Sequence, residues 1–346
     1  MYNMIKTLFL NQMFNRQLPT SYVSRLTSNH RLTFHVSRLI TLTVFLFLAS
    51  VGASAQQKET YLYAVKDTSK LYMDVYVPEV QNDEHSCLMF VFGGGFVGGK
   101  RDDSQIQQVW RHFTQEGYVV IAIDYRLGMR GQKEFAALLA VKQFHRAIDM
   151  AAEDVISALD YTIRNLQKTE RYTINCDNII VMGSSAGAIA ALQADYAMCN
   201  GYLNSAILPD TFRIAGVVSY SGAIFSTHGV PKYKNHAPAP TLFCHGVEDK
   251  LVVYNKIQLA NLGLFGSNSI VKQFKKKGYC YQVRRYTGLG HQVAGFFDNE
   301  FDVIDNFITK IALPNSGVQL DETRYDPRIE PKMNNFRIRD MKKVKQ

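Results

Sequence analysis

The sequence predicts an α/β fold, a doubly wound and mostly parallel sheet that begins with a β-hairpin. Short apolar runs alternate along the chain with longer segments of helical periodicity, which is typical of parallel strands joined by helices. The chain has 346 residues, 47% of them hydrophobic, so it can form one large core. No repeat of 20 to 50 residues is visible, which argues against solenoids and propellers.

The elements follow in order. YLYAV and LYMDVYV flank KDTSK and predict the leading hairpin. Later apolar runs predict strands at 87–92, 118–124, 178–183, 214–220, 241–246 and 281–286; the last is more polar, which places it nearer an edge. Among the helices, 147–165 repeats Ala151, Val155, Leu159 and Ile163 every four residues. A last amphipathic helix covers 300–311.

Three parts are predicted: a leader and signal peptide at 1–55, a domain at 56–314 and a polar, basic tail at 315–346. The leader has basic residues, the apolar run LITLTVFLFLASVG and an A-x-A site at Ala53 and Ala55. We expect cleavage after Ala55 and export to the periplasm or the medium. A membrane anchor is the alternative, but the run is shorter than the roughly 20 residues of a membrane span, so no stable span is expected after cleavage.

The net charge of +9 does not predict nucleic-acid binding. Residues 1–55 hold five Lys or Arg and no acidic residue, so nine minus five leaves +4 for the rest. From Pro314 onward there are eight Lys or Arg and five Asp or Glu, so the part of the chain between these two ends is close to neutral and has no sustained basic face.

No metal or other cofactor is predicted. The five cysteines have no C-x-x-C spacing, so neither a zinc site nor a disulfide framework is indicated, and at most two disulfide bridges can form. Cys87 and Cys244 lie in apolar strands and are expected to be buried. The glycine run FGGGFVGGK lacks the spacing of a phosphate-binding loop.

The stretch IIVMGSSAGAIAA, residues 179–191, indicates a nucleophile. A buried strand runs directly into a helix of small residues, with two serines at the corner. Gly183 and Gly187 flank Ser185 as G-x-S-x-G, whereas Ser184 lacks such flanks. An ordinary tight turn is the alternative, so the interpretation depends on context.

Upstream, the strand CLMFVF ends in FGGGFVGG. Glycines leave the backbone N–H groups unshielded, so Gly93, Gly94 and Gly95 can approach a substrate oxygen closely. A flexible turn is the alternative. Three successive glycines followed by apolar Phe96 favour an oxyanion hole.

These motifs resemble the α/β-hydrolase fold family, specifically its compact esterase and lipase group, which includes the hormone-sensitive-lipase-like carboxylesterases. The resemblance covers most of 60–312, and DYRL at 124–127 is similar to a structural segment of the family. It implies an oxyanion hole from the N–H groups of Gly94, Gly95 and Ala186. Two positions depart from the family pattern: Phe92 stands where His is usual, and Ser184 where an acidic residue is usual.

The family's triad order is Ser, then Asp or Glu, then His, each after a strand. HGVEDKLV is similar to the family's H-G-x-x-D-x-x-V and implies Asp249 as the acid; TGLGHQV implies His291 as the base. Glu248 is the alternative acid. For Asp249 the alternative role is the cap of a helix over 252–264, which is compatible with the catalytic role. His245 is expected to be structural.

The expected function is a serine carboxylesterase acting through an acyl-enzyme. Only about twenty residues separate the strands at 214–220 and 241–246, too few for a large helical cap. An open site favours small-molecule or carbohydrate esters, with short acyl groups on bulky alcohols. The alternatives are an exported serine peptidase, a lipase of the same fold, or a noncatalytic binding module.

Overall fold

A computed structural model describes residues 58–81, 87–131 and 137–329. The predicted leader, its cleavage site after Ala55 and the last part of the predicted tail lie outside these ranges. Within them, no helix is both long and apolar enough to cross a bilayer.

The described strands form two sheets. In chain order they are β1 Lys58–Lys66, β2 Ser69–Tyr76, β3 Cys87–Val91, β4 Val119–Ile123, β5 Ile179–Ser184, β6 Gly216–Tyr220, β7 Ala223–Ser226, β8 Thr241–Gly246, β9 Lys256–Leu259, β10 Leu262–Gly266, β11 Tyr281–Tyr286 and β12 Gln319–Arg324. Their α-helices are α1 Ser104–Gln115, α2 Ala137–Tyr161, α3 Ala186–Asn200, α4 Ser267–Lys277 and α5 Phe301–Phe307.

The main sheet has the order β1-β2-β4-β3-β5-β6-β8-β11-β12. The predicted hairpin of β1 and β2 is confirmed, and β2 pairs antiparallel with β4; the other neighbouring pairs are parallel. The six further predicted strands are confirmed to within two residues at each end. The prediction of a mostly parallel α/β sheet is therefore confirmed.

Burial explains why these runs form central strands. Every residue of β3, β4, β5, β6 and β8 is buried, as expected for strands covered on both faces. The predicted helical stripe packs inward from α2 through Ala151, Val155 and Leu159. α3 is buried along nearly its whole length, which requires small side chains such as the alanines of AGAIAALQADYA.

The boundary predicted for the tail, at residue 315, lies too early in the chain, because β12 belongs to the main sheet. It pairs with β11 in parallel, from Tyr281 opposite Gln319 to Tyr286 opposite Arg324. Ion pairs hold it there: Arg284 Nη1 lies 2.9 Å from Glu322 Oε2, and Arg285 Nη2 lies 2.6 Å from Asp321 Oδ1. Five of its six residues are exposed, so it has no apolar pattern to reveal it in the sequence.

The prediction of a helix over 252–264 is wrong. Residues 256–266 form a hairpin of β9 and β10, in which Leu264 lies opposite Ile257 and Leu262 opposite Leu259. These apolar residues recur every second position on either side of Ala260, which has a φ of 51° in the turn. Together with β7, the hairpin makes a second sheet of order β7-β10-β9.

Candidate active site

Ser185 lies at a strained corner between β5 and α3. Its φ of 52° and ψ of −117° are rarely adopted by residues other than glycine. A Cβ on Gly183 would lie 2.4 Å from the carbonyl oxygen of Gly187, and one on Gly187 would lie 2.1 Å from that of Val91. The two glycines of G-x-S-x-G are thus required by the close approach of strand and helix.

The two adjacent serines have different surroundings. Ser184 is buried, and its Oγ donates a 2.6 Å hydrogen bond to the carbonyl oxygen of Ala294. Ser185 Oγ instead lies 2.8 Å from Nε2 of His291. Ser185 is therefore the serine that has a base within reach.

His291 joins Ser185 to Asp249. Its Nδ1 lies 2.8 Å from Oδ2 of Asp249. An ionised carboxylate only accepts hydrogen bonds, so Nδ1 carries the hydrogen and Nε2 of the neutral ring accepts from Ser185 Oγ. Ser185, predicted from the G-x-S-x-G spacing, is thus joined in one hydrogen-bonded chain to His291 and Asp249, which the family resemblance implied.

Asp249 is fixed by its own loop. Its Oδ1 accepts hydrogen bonds from the amides of Leu251 at 2.9 Å and Val252 at 3.0 Å. Burial raises the pKa of Asp249, but hydrogen bonds from His245 and His291 outweigh burial and hold that pKa below its usual range. The alternative acid, Glu248, is exposed. Asp249 thus caps a turn rather than the predicted helix.

The glycine loop lies against the nucleophile. A Cβ on Gly93 would lie 3.1 Å from the carbonyl oxygen of Ser184 and 3.3 Å from Cβ of Ser185. Gly94 and Gly95 have φ values of 126° and 62°, and within the described residues their N–H groups make no hydrogen bond to a backbone carbonyl.

Ala186 contributes the third predicted N–H group. It is the first residue of α3, and the first N–H groups of a helix have no carbonyl partner within it. Ala186 thus follows Ser185 directly, and the glycine loop approaches the same serine through Gly93. The oxyanion hole from the N–H groups of Gly94, Gly95 and Ala186 stays a prediction.

Aromatic packing supports the glycine loop. Phe92 stacks on Tyr125 with ring centroids 4.4 Å apart, and Tyr125 Oη donates a 2.9 Å hydrogen bond to the carbonyl oxygen of Phe92. Phe96 packs edge-on against the same tyrosine. The phenylalanine at position 92 is therefore a structural residue that joins the loop to the DYRL segment.

An ion-pair network, which the sequence did not reveal, anchors the far end of this loop. Arg101 Nη1 lies 2.6 Å from Asp124 Oδ2, and Arg101 Nε lies 3.1 Å from Asp74 Oδ1. The side chain of Asp74 is fully buried. The pairing of β2 with β4 brings Asp74 close to Asp124, and Arg101 contacts both although the three residues are widely separated in the sequence.

The five cysteines all lie in described ranges and carry free thiols; Cys87 and Cys244 are fully buried, as predicted. In the part of the chain that the structure describes, no group of three His, Cys, Asp or Glu side chains is placed to hold a metal ion.

Residues 73–225, which include the glycine loop and Ser185, match the family model BD-FAE. No curated protein has a matching sequence.

Solved structures of a thermophilic esterase, Est2 of the Planctomycetes species Thermogutta terrifontis, share the fold. The native form has a TM-score of 0.53 at 18% identity, over 74% of this chain and 92% of that chain. The butyrate-bound form gives 0.51 at 18% identity, over 74% and 94%. The form phosphorylated by paraoxon gives 0.50 at 17% identity, over 74% and 95%.

At these identities the structural likeness establishes the fold, while the BD-FAE match covers the nucleophile and the loop beside it. The chain therefore has the α/β-hydrolase fold and is a serine hydrolase of carboxylic esters.

Proposed function

We propose that this esterase removes short acyl groups from bulky alcohols, such as acylated carbohydrates, through an acyl-enzyme on Ser185. The hydrogen-bonded chain from Ser185 through His291 to Asp249, beside the glycine loop, is the observation that carries the proposal.

In the first half-reaction, Nε2 of His291 takes the proton of Ser185 Oγ while the oxygen attacks the ester carbonyl. Asp249 holds the imidazole and stabilises the imidazolium that forms. The N–H groups of Gly94, Gly95 and Ala186 stabilise the oxyanion. The imidazolium then gives its proton to the leaving alcohol as the carbonyl–oxygen bond breaks.

In the second half-reaction, His291 removes a proton from water, and the resulting hydroxyl oxygen attacks the acyl-enzyme carbonyl. Collapse of the tetrahedral intermediate breaks the bond to Ser185 Oγ, which regains its proton from His291. A carboxylic acid and the free enzyme are the products.

The size of the connection after β6 supports bulky alcohols. Residues 221–240 contain the four-residue strand β7 and no helix. The outer strand of the small sheet, β9, is exposed along its length, with Leu259 81% exposed. No helical cap is thus built from this connection over the site.

The preference for short acyl groups is supported by analogy. The solved structure of the Thermogutta terrifontis esterase with bound butyrate shows a four-carbon acid on a protein of this fold. We extend that acyl length to the present chain as part of the proposal.

Export is part of the same proposal. The basic start, the apolar run and the A-x-A site support cleavage after Ala55. N-terminal sequencing of the protein recovered outside the cytoplasm of the producing cell tests it: a start at Gln56 is expected, and retention of the leader in the cytoplasm would contradict it.

A substrate panel tests the specificity. Purified enzyme is given p-nitrophenyl esters of two to twelve carbons, acetylated oligosaccharides and peptide amides, with Ser185→Ala as the control. We expect the highest kcat/KM for the shortest acyl chains and release of acetate from the oligosaccharides. Highest activity on the longest chains would indicate a lipase, and cleavage of peptides alone would indicate a peptidase.

A further inference from the structure

A second histidine contacts the catalytic acid. His245 lies in β8, one residue before the end of the strand, and is fully buried. Its ring packs edge-on against Tyr254, with centroids 5.5 Å apart. Both ring nitrogens of such a buried imidazole need hydrogen-bond partners.

The partners of His245 define its tautomer. Nε2 lies 3.0 Å from the carbonyl oxygen of Val252, which can only accept, so Nε2 carries a hydrogen. Nδ1 lies 2.8 Å from Oγ of Ser267, a fully buried hydroxyl that can donate. The neutral ring with its hydrogen on Nε2 satisfies both contacts.

This N–H group also reaches Asp249. His245 Nε2 is 3.3 Å from Asp249 Oδ2, the oxygen that accepts from His291 Nδ1. The other oxygen, Oδ1, accepts from the amides of Leu251 and Val252. Each carboxylate oxygen therefore has two donors, and rotation of the carboxylate group would break several hydrogen bonds at once.

We propose that His245 is a positioning residue for Asp249 and that Ser267 sets the tautomer His245 needs for this role. The proposal rests on the triad described under the proposed function. The chain of contacts then has five members, from Ser267 through His245, Asp249 and His291 to Ser185.

His245 cannot itself act as the catalytic base. Its side chain is fully buried, Nε2 already carries the hydrogen donated to Val252 and Asp249, and Nδ1 is occupied by Ser267. What it contributes is a donor that fixes the carboxylate and withdraws part of its negative charge. The titratable groups around it are Asp249 and Tyr254, with His291 facing the same carboxylate.

Two substitutions distinguish the effect of the hydrogen-bond donor of His245 from the effect of the volume of its ring. In His245→Gln the side-chain amide can donate from the position of Nε2, whereas His245→Leu fills the space without a donor. Activity on p-nitrophenyl acetate is measured from pH 4 to pH 10, and rates are expressed per reactive serine, counted by stoichiometric labelling with paraoxon. His236→Leu, at a half-buried histidine before β8, is the matched control.

We expect His245→Leu to lower kcat by about 10- to 100-fold with KM little changed, as for a misplaced catalytic group. Without the donor, more of the carboxylate charge faces the imidazolium of His291, so the acid limb of the kcat/KM profile moves to higher pH. His245→Gln is expected to recover most of the rate and the position of the limb.

Ser267→Ala provides a second test if His245→Leu does not fold. It is expected to move the acid limb in the same direction by a smaller amount. Unchanged profiles in folded His245→Leu and Ser267→Ala, or equal losses in the Gln and Leu variants, would overturn the positioning role. A wild-type enzyme without esterase activity would instead refute the proposed function itself.

Discussion

Ser184 Oγ donates its hydrogen bond to the carbonyl oxygen of Ala294, three residues after His291. The serine beside the nucleophile therefore ties the end of β5 to the short helical turn His291–Gly295 that carries the base. Adjacent serines thus have separate roles: Ser185 faces the base, and Ser184 holds the segment on which the base is mounted.

This contact leads to the first prediction. We expect Ser184→Ala to lower kcat about tenfold with KM unchanged, because the buried carbonyl of Ala294 loses its donor and the turn shifts. Ser185→Ala should lower kcat by roughly 10⁶-fold, as when comparable triads are dismantled. Steady-state kinetics on p-nitrophenyl acetate distinguish the two.

Ser219→Ala is the matched control for Ser184→Ala. Ser219 is a buried serine of β6, opposite Gly183, and its hydroxyl has no hydrogen-bond partner among the described residues. Its removal should leave kcat unchanged. Equal losses in Ser184→Ala and Ser219→Ala would show that the contact with Ala294 does not matter for turnover.

The second prediction concerns the strained corner between β5 and α3 that carries Ser185. Gly187→Ala would place a methyl group 2.1 Å from the carbonyl oxygen of Val91, so β3 and α3 must separate. We expect loss of activity and a lower melting temperature in thermal unfolding. Gly295→Ala is the control, because its added Cβ meets no atom within 4 Å. A fully active Gly187→Ala variant would contradict the close-packing argument.

The third prediction concerns the anchor of the glycine loop. Arg101→Met removes the partner of Asp124 and one partner of the buried Asp74, and breaking such a pair costs about 3 kcal/mol of unfolding free energy. The loop is then less well held, so kcat should fall as well. Urea unfolding and kinetics measure both effects.

Lys100→Met provides the comparison for this change. Lys100 forms a surface pair with Asp102 at 3.4 Å, with both side chains largely exposed. Exposed pairs contribute little, so this neighbouring substitution should alter neither stability nor rate. A loss as large as that of Arg101→Met would mean that the buried network is not what anchors the loop.

The fourth prediction is a pH dependence of stability. Burial raises the pKa of Asp195 to about 7, despite hydrogen bonds from the amide of Ala239 and the thiol of Cys199. An unfolded aspartate titrates near pH 4, so between about pH 4 and pH 7 the folded protein retains a proton that the unfolded chain has released. The contribution of Asp195 to stability therefore falls as the pH rises through this window.

Asp195→Asn should remove this contribution to the dependence of stability on pH. We expect the variant to gain stability relative to wild type at pH 8, by up to a few kcal/mol, since one pKa unit is worth about 1.4 kcal/mol. At pH 4 the difference should be small. Urea unfolding at both pH values measures the free energy of unfolding, with Asp210→Asn, at an exposed position, as the control. The same change in stability between pH 4 and pH 8 in Asp195→Asn and in wild type would contradict the assignment to Asp195.

The parts that sequence could predict are those encoded in local pattern. Apolar runs predict the central strands because these strands are buried on both faces, and G-x-S-x-G predicts Ser185 because steric contact allows only glycine at Gly183 and Gly187. The resemblance to a known family implied Asp249 and His291, and the structure brings them together with Ser185.

The remaining features depend on contacts between distant residues. β12 pairs through charges rather than apolar alternation, so it resembles a tail in the sequence. The β9–β10 hairpin has leucines and an isoleucine that also fit a helical pattern. The contacts of Ser184 with Ala294 and of Arg101 with Asp74 join residues that no local pattern relates.

The position of β12 bears on how the enzyme is made. β12 is the last strand that the structure describes, and it covers the outer edge of β11. During synthesis the backbone N–H and C=O groups of that edge stay open after the base His291 has already emerged, until the C-terminal segment follows. A nascent chain or a truncated product would therefore present the edge of β11 as a template for aggregation. In the finished sheet β12 is the edge strand, and its charged side chains disfavour pairing with another chain.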